Sequence, residues 1–297
     1  MKLSIITINR NNASGLCRTL ESTLGGQPDF SDWEQIVVDG TSTDGSFDVL
    51  QKWKDDSRLG WHVSEPDSGI YNAMNKGASH ARGEYLLFLN SGDVLVPNVL
   101  ASVFSAPLND DIAYGDLKFM HKDGSVSERT FPNPEEISAA WFLFDYLPHP
   151  ASFIDRRYFE KTGGYDESFK IIADAKFFLN AVASNSVRLR HLPFPISMFD
   201  TEGISSNAAF RDKLIAEQER MFSEKFGSLT ARRVLYPPEG RPWIMPAVAD
   251  AAQKDPQLAH FLLCASSVIS HLWKSTVLRS LLHGIDLLLS RLHGIGK

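Results

Sequence analysis

Two rhythms of hydrophobic and polar residues alternate over the first ninety positions of the chain. Leu3 to Ile8, Gln35 to Val38, Trp61 to Ser64 and Tyr85 to Leu89 are short runs bounded by polar or glycine-rich turns, which predicts strands. Between them the spacing becomes helical. Gly15 to Leu24 predicts one helix, and Phe47, Leu50 and Trp53 mark a second. Ile70, Met74, Gly77, Ala78 and Ala81 form one face of a third, with Asp67 or Ser68 as its cap. The order βαβαβαβ predicts an α/β fold with a mostly parallel, doubly wound sheet.

The pattern loosens after Leu89. Ile112 to Phe119 and Val126 to Phe131 predict strands joined by the turn Lys122-Asp123-Gly124, and Pro134 to Phe144 predicts a helix. Further strands are expected at Ala151 to Ile154, Val187 to Leu192 and Pro195 to Phe199, and helices at Asp174 to Ser184 and Phe210 to Phe226. The proline-rich piece from Tyr236 to Pro242 reads as a linker. Beyond it, Leu258 to Trp273 and Val277 to Leu292 predict helices. The domain boundaries that follow are 1–235 for the main domain and 236–297 for a helical C-terminal appendage.

Composition narrows the classes. The net charge of −6 argues against general nucleic-acid binding. Charge is uneven: from Gln257 onward the chain carries +3, and the remainder −9. In the last helix Leu278, Leu281, Leu282, Ile285, Leu288 and Leu292 share a face, so 257–297 is a candidate for docking on an anionic membrane surface. A hairpin packed against protein is the competing reading. The two cysteines, Cys17 and Cys264, lack metal-ligand spacing, and a reducing, cytoplasmic setting fits them. Leu3 to Ile8 is too short for a signal peptide, and no apolar run reaches transmembrane length.

Candidate chemistry gathers where strands end. Asp39 and Asp44 flank a loop with glycines at 40 and 45, suited to close backbone approach and to accepting ligand N–H or O–H groups. The same residues would serve a plain βα turn. No GxGxxG is present, so a dinucleotide site lacks its usual mechanism. The run Asn90-Ser91-Gly92-Asp93 leaves one carboxylate directly after a strand, next to neutral oxygens, which suits Mg2+ or Mn2+ with phosphates. Asp174 begins an apolar helix and is either a cap or a general base. His149, between two prolines, is either loop filler or a ligand to phosphate or sugar.

Taken together, residues 1–205 resemble the family-2 glycosyltransferases of the GT-A fold. The motifs are SIITIN at 4–9, VVDGTSTDG at 37–45, SEPDSGIYNAMNKG at 64–77, ARGEY at 81–85 and FLNSGD at 88–93. With Tyr114-Gly115-Asp116, His149-Pro150-Ala151 and Gly203-Ile204-Ser205, they look like the exopolysaccharide branch, including colanic-acid-type enzymes. The resemblance implies a nucleotide-sugar-binding half over 1–110 and an acceptor half over 111–235. It implies Asp39 against the base, Asp67 against base or ribose, Asp93 on the metal and Asp174 as catalytic base. Thr7, Asn9, Asp44, Asn75, Lys76, Asn90 and His149 complete the expected donor-binding set. The expected partners are a UDP- or GDP-sugar donor and a glycan or glycolipid acceptor, and the expected reaction is single-sugar transfer with inversion. The chain departs from the family at its Asp-x-Asp, where Asn90 and Gly92 stand. It also lacks the Gln-x-x-Arg-Trp of processive synthases. A nucleotidyltransferase and an inactive sugar-nucleotide scaffold remain the competing classes.

Overall fold

A computed structural model describes residues 1–28, 32–105, 108–143, 145–201 and 208–227. The chain divides into a compact unit Met1–Gln218 and a second unit Glu219–Lys297. The expected linker at 236–242, both C-terminal helices with their membrane-docking face, Cys264 and Gly203-Ile204-Ser205 lie outside the described residues.

The first four strands are β1 (Leu3–Asn9), β2 (Trp33–Asp39), β3 (Leu59–Ser64) and β4 (Tyr85–Phe88), with helices α1 (Ala13–Leu20), α2 (Ser46–Trp53) and α3 (Ile70–Ser79) between them. They pair in parallel in the order β3-β2-β1-β4. β1, β2 and β4 are buried almost throughout. That is why they read as continuous runs rather than alternating ones: helices cover both faces of such a sheet. β3, at the edge, alternates between half-buried and exposed.

The buried charge inside this sheet is paired, although Asn9 Oδ1 and Gln35 Oε1 are buried without a hydrogen-bond partner. Glu34, nearly inaccessible, accepts from the Ser4 hydroxyl at 2.7 Å and the Arg82 N–H at 2.8 Å, and forms an ion pair with the Arg82 guanidinium at 2.6 Å. Gly77 lets α3 lie flat on the sheet, because a Cβ there would sit 2.5 Å from Ile6 Cγ2.

The sheet continues as β5 (Val94–Leu95), β6 (Ile112–Met120), β7 (Val126–Arg129), β8 (Ser152–Asp155) and β9 (Leu189–Asp200), with helices α4 (Val99–Ser105), α5 (Arg156–Lys161), α6 (Ala173–Ala183) and α7 (Arg211–Phe226). The path runs β4-β8-β6-β9-β5, with β7 on β6. β8 is antiparallel to β4 and β6, β9 is parallel to β6, and β5 is antiparallel to β9. The whole is a mixed sheet: a parallel half followed by an antiparallel-rich half.

Several boundaries differ from those expected. The helix expected over 15–24 is α1, capped by the Asn12 side chain on Gly15 N–H at 3.1 Å, followed by a π-helical turn Glu21–Gly25. Neither Asp67 nor Ser68 occupies the cap position of α3. Gly69 does, at φ +135°, and its N–H donates to Asp67 Oδ1 at 2.9 Å. Instead of one helix over 134–144 there are short 3-10 turns, Pro134–Glu136 and Ala139–Leu143, interrupted by Ile137 in extended conformation. The two strands expected on either side of Pro193 are one strand, β9. Register shifts at Asp116, which lies opposite Pro195, let it pass a residue that has no N–H to pair.

Candidate active site at the strand ends

The C-terminal ends of β1, β2 and β4 lie on one edge of the parallel half, where open α/β sheets place ligands. Asn9 closes β1 and Asp39 closes β2. Asp39 Oδ1 accepts from Asn9 Nδ2 at 2.7 Å and the Ser42 hydroxyl at 2.5 Å, while Oδ2 accepts from Ser42 N–H at 2.9 Å and the Ser64 hydroxyl at 2.6 Å. Burial pushes this carboxyl up, but the donors from Ser42, Ser64 and Asn9 outweigh it and hold the group below the usual carboxylate range.

Asp44 is fixed by the Ser46 hydroxyl at 2.6 Å and Ala13 N–H at 2.8 Å, which also lower its pKa. The loop is therefore built before any ligand arrives. Asp67 stands over it: a Cβ on Gly40 would lie 2.5 Å from Asp67 Oδ2. Glycine at 40 is what allows the carboxylates of Asp39 and Asp67 to share one end of the sheet.

Three of the residues expected to touch the donor also hold the scaffold together. Thr7 is fully buried, and its hydroxyl donates to Leu89 C=O at 2.7 Å and accepts from Gln35 Nε2 at 3.0 Å, so it ties strands together beneath the edge. Asn75 donates to Tyr165 C=O at 2.9 Å and Glu167 at 3.0 Å, and accepts from Tyr165 N–H at 2.9 Å. It fastens the loop Gly163–Phe169 to α3. Lys76 forms an ion pair with Glu65 at 2.6 Å and steadies the turn after β3.

Beyond β4, Asp93 is buried and its Oδ1 accepts the Asp200 N–H at 2.9 Å. Antiparallel pairing of Val94 with Met198 brings the end of β9 to this point. Burial raises Asp93 to about 7, and the Asp200 carboxylate adds to the push. Gly92 has φ +114°, and a Cβ on it would lie 3.2 Å from Asp200 Oδ2. Asp200 thus occupies space that a side chain at position 92 would claim, and it pairs with Arg18 at 2.8 Å. Asn90 Oδ1 is buried without a hydrogen-bond partner.

The carboxylates of Asp93 and Asp200 and, three residues before Asp93, the unsatisfied Asn90 amide oxygen are hard-oxygen donors of the kind that Mg2+ or Mn2+ takes. Among the described residues no three His, Cys, Asp or Glu side chains converge as a metal cluster.

Asp174 is not the cap of α6; Ile172 is. Asp174 lies in the first turn and accepts from the Tyr71 hydroxyl at 2.6 Å. The single hydroxyl proton is shared with Ile171 C=O at 2.7 Å. Burial, reinforced by the negative charge of Asp174, raises Tyr71 well above an ordinary tyrosine, so it stays a donor. Tyr165 packs edge-on against Tyr71, and its hydroxyl meets His149 Nε2 at 2.9 Å. His149 stacks on Phe88 at the end of β4. Burial lowers its pKa, and Asp174 opposes that in part. The base candidate is thus half-buried and joined through Tyr71 to a cluster of aromatic side chains.

Sequence reasoning missed Tyr71, Asp200 and Glu217. Tyr71 was within reach, because Tyr71 and Met74 inside the SEPDSGIYNAMNKG motif and Ala78 just after it form a helical stripe. Asp200 and Glu217 carry no local signal. A separate cleft of about 420 Å3 lies at the opposite edge, beside Glu84, Asp111, Asp155 and Arg188, away from this chemistry.

Comparison with known proteins agrees with this fold. The family model described as Glycosyl transferase family 2 matches residues 4–162. An uncharacterized glycosyltransferase of Mycobacterium tuberculosis is 35% identical over 209 residues, covering 69% of this chain and 77% of its own length. Among solved structures, S. aureus TarS 1-349 in complex with UDP-GlcNAc superposes with a TM-score of 0.58 at 19% identity, covering 79% of this chain and 70% of that one. The mannosyltransferase PcManGT of Pyrobaculum calidifontis, in complex with GDP-Man and Mn2+, gives 0.57 at 17% identity, covering 94% and 82%.

Proposed function

The chain belongs to glycosyl transferase family 2, and on that premise we propose that it is an inverting enzyme moving one hexose from a UDP- or GDP-sugar to a hydroxyl acceptor. The observation that carries the proposal is Asp174, set in the first turn of α6 and gripped by Tyr71 at 2.6 Å. A residue serving only as a helix cap would not need that partner. In the reaction the acceptor oxygen bonds to C1 of the sugar as the C1–O bond to the diphosphate breaks. The bonding pair leaves with the nucleoside diphosphate, and the hydroxyl proton passes to Asp174. The Asp39 loop and Asp67 receive the nucleoside.

A divalent cation, when bound, offsets the charge that develops on the leaving diphosphate. Asp93, Asp200 and Asn90 are the residues that would hold it. The structure of a neighbour with Mn2+ supports that chemistry. The acceptor we propose is a lipid-linked oligosaccharide of exopolysaccharide synthesis, met at the cytoplasmic membrane face.

Labelled donors test the reading. Release of nucleoside diphosphate with transfer to a glycolipid supports it. Pyrophosphate exchange would instead indicate a nucleotidyltransferase, and binding without turnover a scaffold. Asp174→Asn is expected to lower kcat by about 10²–10⁴-fold while donor binding and thermal midpoint stay near native. Near-native turnover in that variant would exclude Asp174 as base.

A further inference from the structure

Glu217 lies in α7 and is 8% exposed. Its Oε1 accepts Lys170 N–H at 2.8 Å, and its Oε2 accepts Ile171 N–H at 2.9 Å and Ile172 N–H at 3.3 Å. These three residues immediately precede α6 and Asp174. A carboxylate so buried needs donors, and three consecutive peptide N–H groups supply them. From the other side the Tyr71 hydroxyl takes Ile171 C=O at 2.7 Å, and Lys170 Nζ reaches Ser68 C=O at 3.2 Å. The segment that delivers Asp174 is held through its N–H groups by α7 and through a C=O by α3. Glu217 lies outside the residues the family model matches.

We infer that Glu217 is a positioning residue for Asp174: it fixes the peptide path of 170–172 so that the Asp174 carboxylate is held against the Tyr71 hydroxyl, aimed at the acceptor oxygen. The inference rests on the reading of Asp174 as base. Neither carboxylate oxygen can be spared. In Glu217→Gln one oxygen becomes an NH2 group, which points donor at donor against these backbone N–H groups. The base stays present but loses its fixed orientation. Small misplacement of a reacting group costs on the order of 10²-fold in rate.

The test is a double-mutant cycle with Asp174→Asn, read as kcat and donor KM well below the thermal midpoint. Glu217→Gln alone is expected to lower kcat by about 10- to 100-fold, with donor KM within about 3-fold of native. In the Asp174→Asn background the same substitution is expected to change residual kcat little, because there is no base left to aim. Unchanged kcat in Glu217→Gln, or an equal loss in both backgrounds, would overturn the inference and leave Glu217 as a fold element. Failure of the underlying reading looks different, since Asp174→Asn alone would then retain turnover. If Glu217→Gln does not fold, Glu217→Asp, which keeps the charge but is one methylene shorter, enters the same cycle with the same expectations.

Discussion

His149 sits where a proton is unwelcome. Its ring is buried between Phe88 and Tyr165, and burial lowers its pKa below that of an ordinary histidine. The unfolded chain takes up its proton near about 6.5. Between the two values the unfolded state binds more protons, so the stability His149 contributes is full above about pH 6.5 and is lost as pH falls through the folded pKa. Urea midpoints at pH 7.5, 6.5 and 5.5 should therefore decline with acid in the native protein and decline less in His149→Gln. Equal slopes would show that the proton is taken up elsewhere. At this scale the sequence was legible where an acid follows a strand or opens a loop. Asp39, Asp67 and Asp93 stand out for that reason, and all three gather at the ends of strands in the fold. It was not legible where a polar side chain is committed to a distant backbone. Thr7, Asn75 and Lys76 have the residue types of a binding site, and nothing in the sequence signals their contacts with Leu89, Tyr165 and Glu65. Glu217 looks like one more charge on a charged helix, and its partners lie some 46 positions upstream.

At the scale of elements, α3 joins three parts of the site. Its first turn presents Tyr71 to Asp174, its middle holds the 163–169 loop through Asn75, and Gly77 rests on β1. Gly77→Val would drive two methyl groups into Ile6 and Val38 Cγ2, the latter already 3.4 Å from a Cβ at this position. Overpacking of this kind costs about 1–3 kcal/mol. A thermal midpoint lowered accordingly, together with a kcat loss larger than the unfolded fraction explains, is the expected result. An unchanged midpoint would mean that the helix lifts off the sheet freely. The βαβ half was readable because its strands are buried on both faces and its helices keep one periodicity. The second half was not, because β6, β8 and β9 are set by antiparallel and bulged pairings between distant segments. Pro193 and Pro195 looked like an interruption until the register shift at Asp116 accommodated them.

For the whole molecule, the pairing of β5 with β9 closes the sheet so that Asp200 meets Asp93 from about a hundred residues away. Asp93, buried and pushed up further by the Asp200 charge, should respond to a divalent cation. Mn2+ with a nucleoside diphosphate should raise the native thermal midpoint as bound ligand stabilises the folded state. Asp93→Ala should lose most of that rise, and excess EDTA should abolish it along with turnover. Full turnover in EDTA would show that the reaction proceeds without the cation. The attachment of α3 at both ends also governs where the chain tolerates changes of length. One residue inserted between Tyr71 and Gly77 turns the two ends of the helix by about 100° relative to each other and slides them about 1.5 Å. Either the glycine leaves the sheet or the tyrosine leaves the base. The turn between β6 and β7 carries no such constraint: it is exposed and nothing lies within 4 Å of a Cβ at Gly124. Natural length variation and engineered insertions should therefore accumulate at 121–125 and be absent from 71–77.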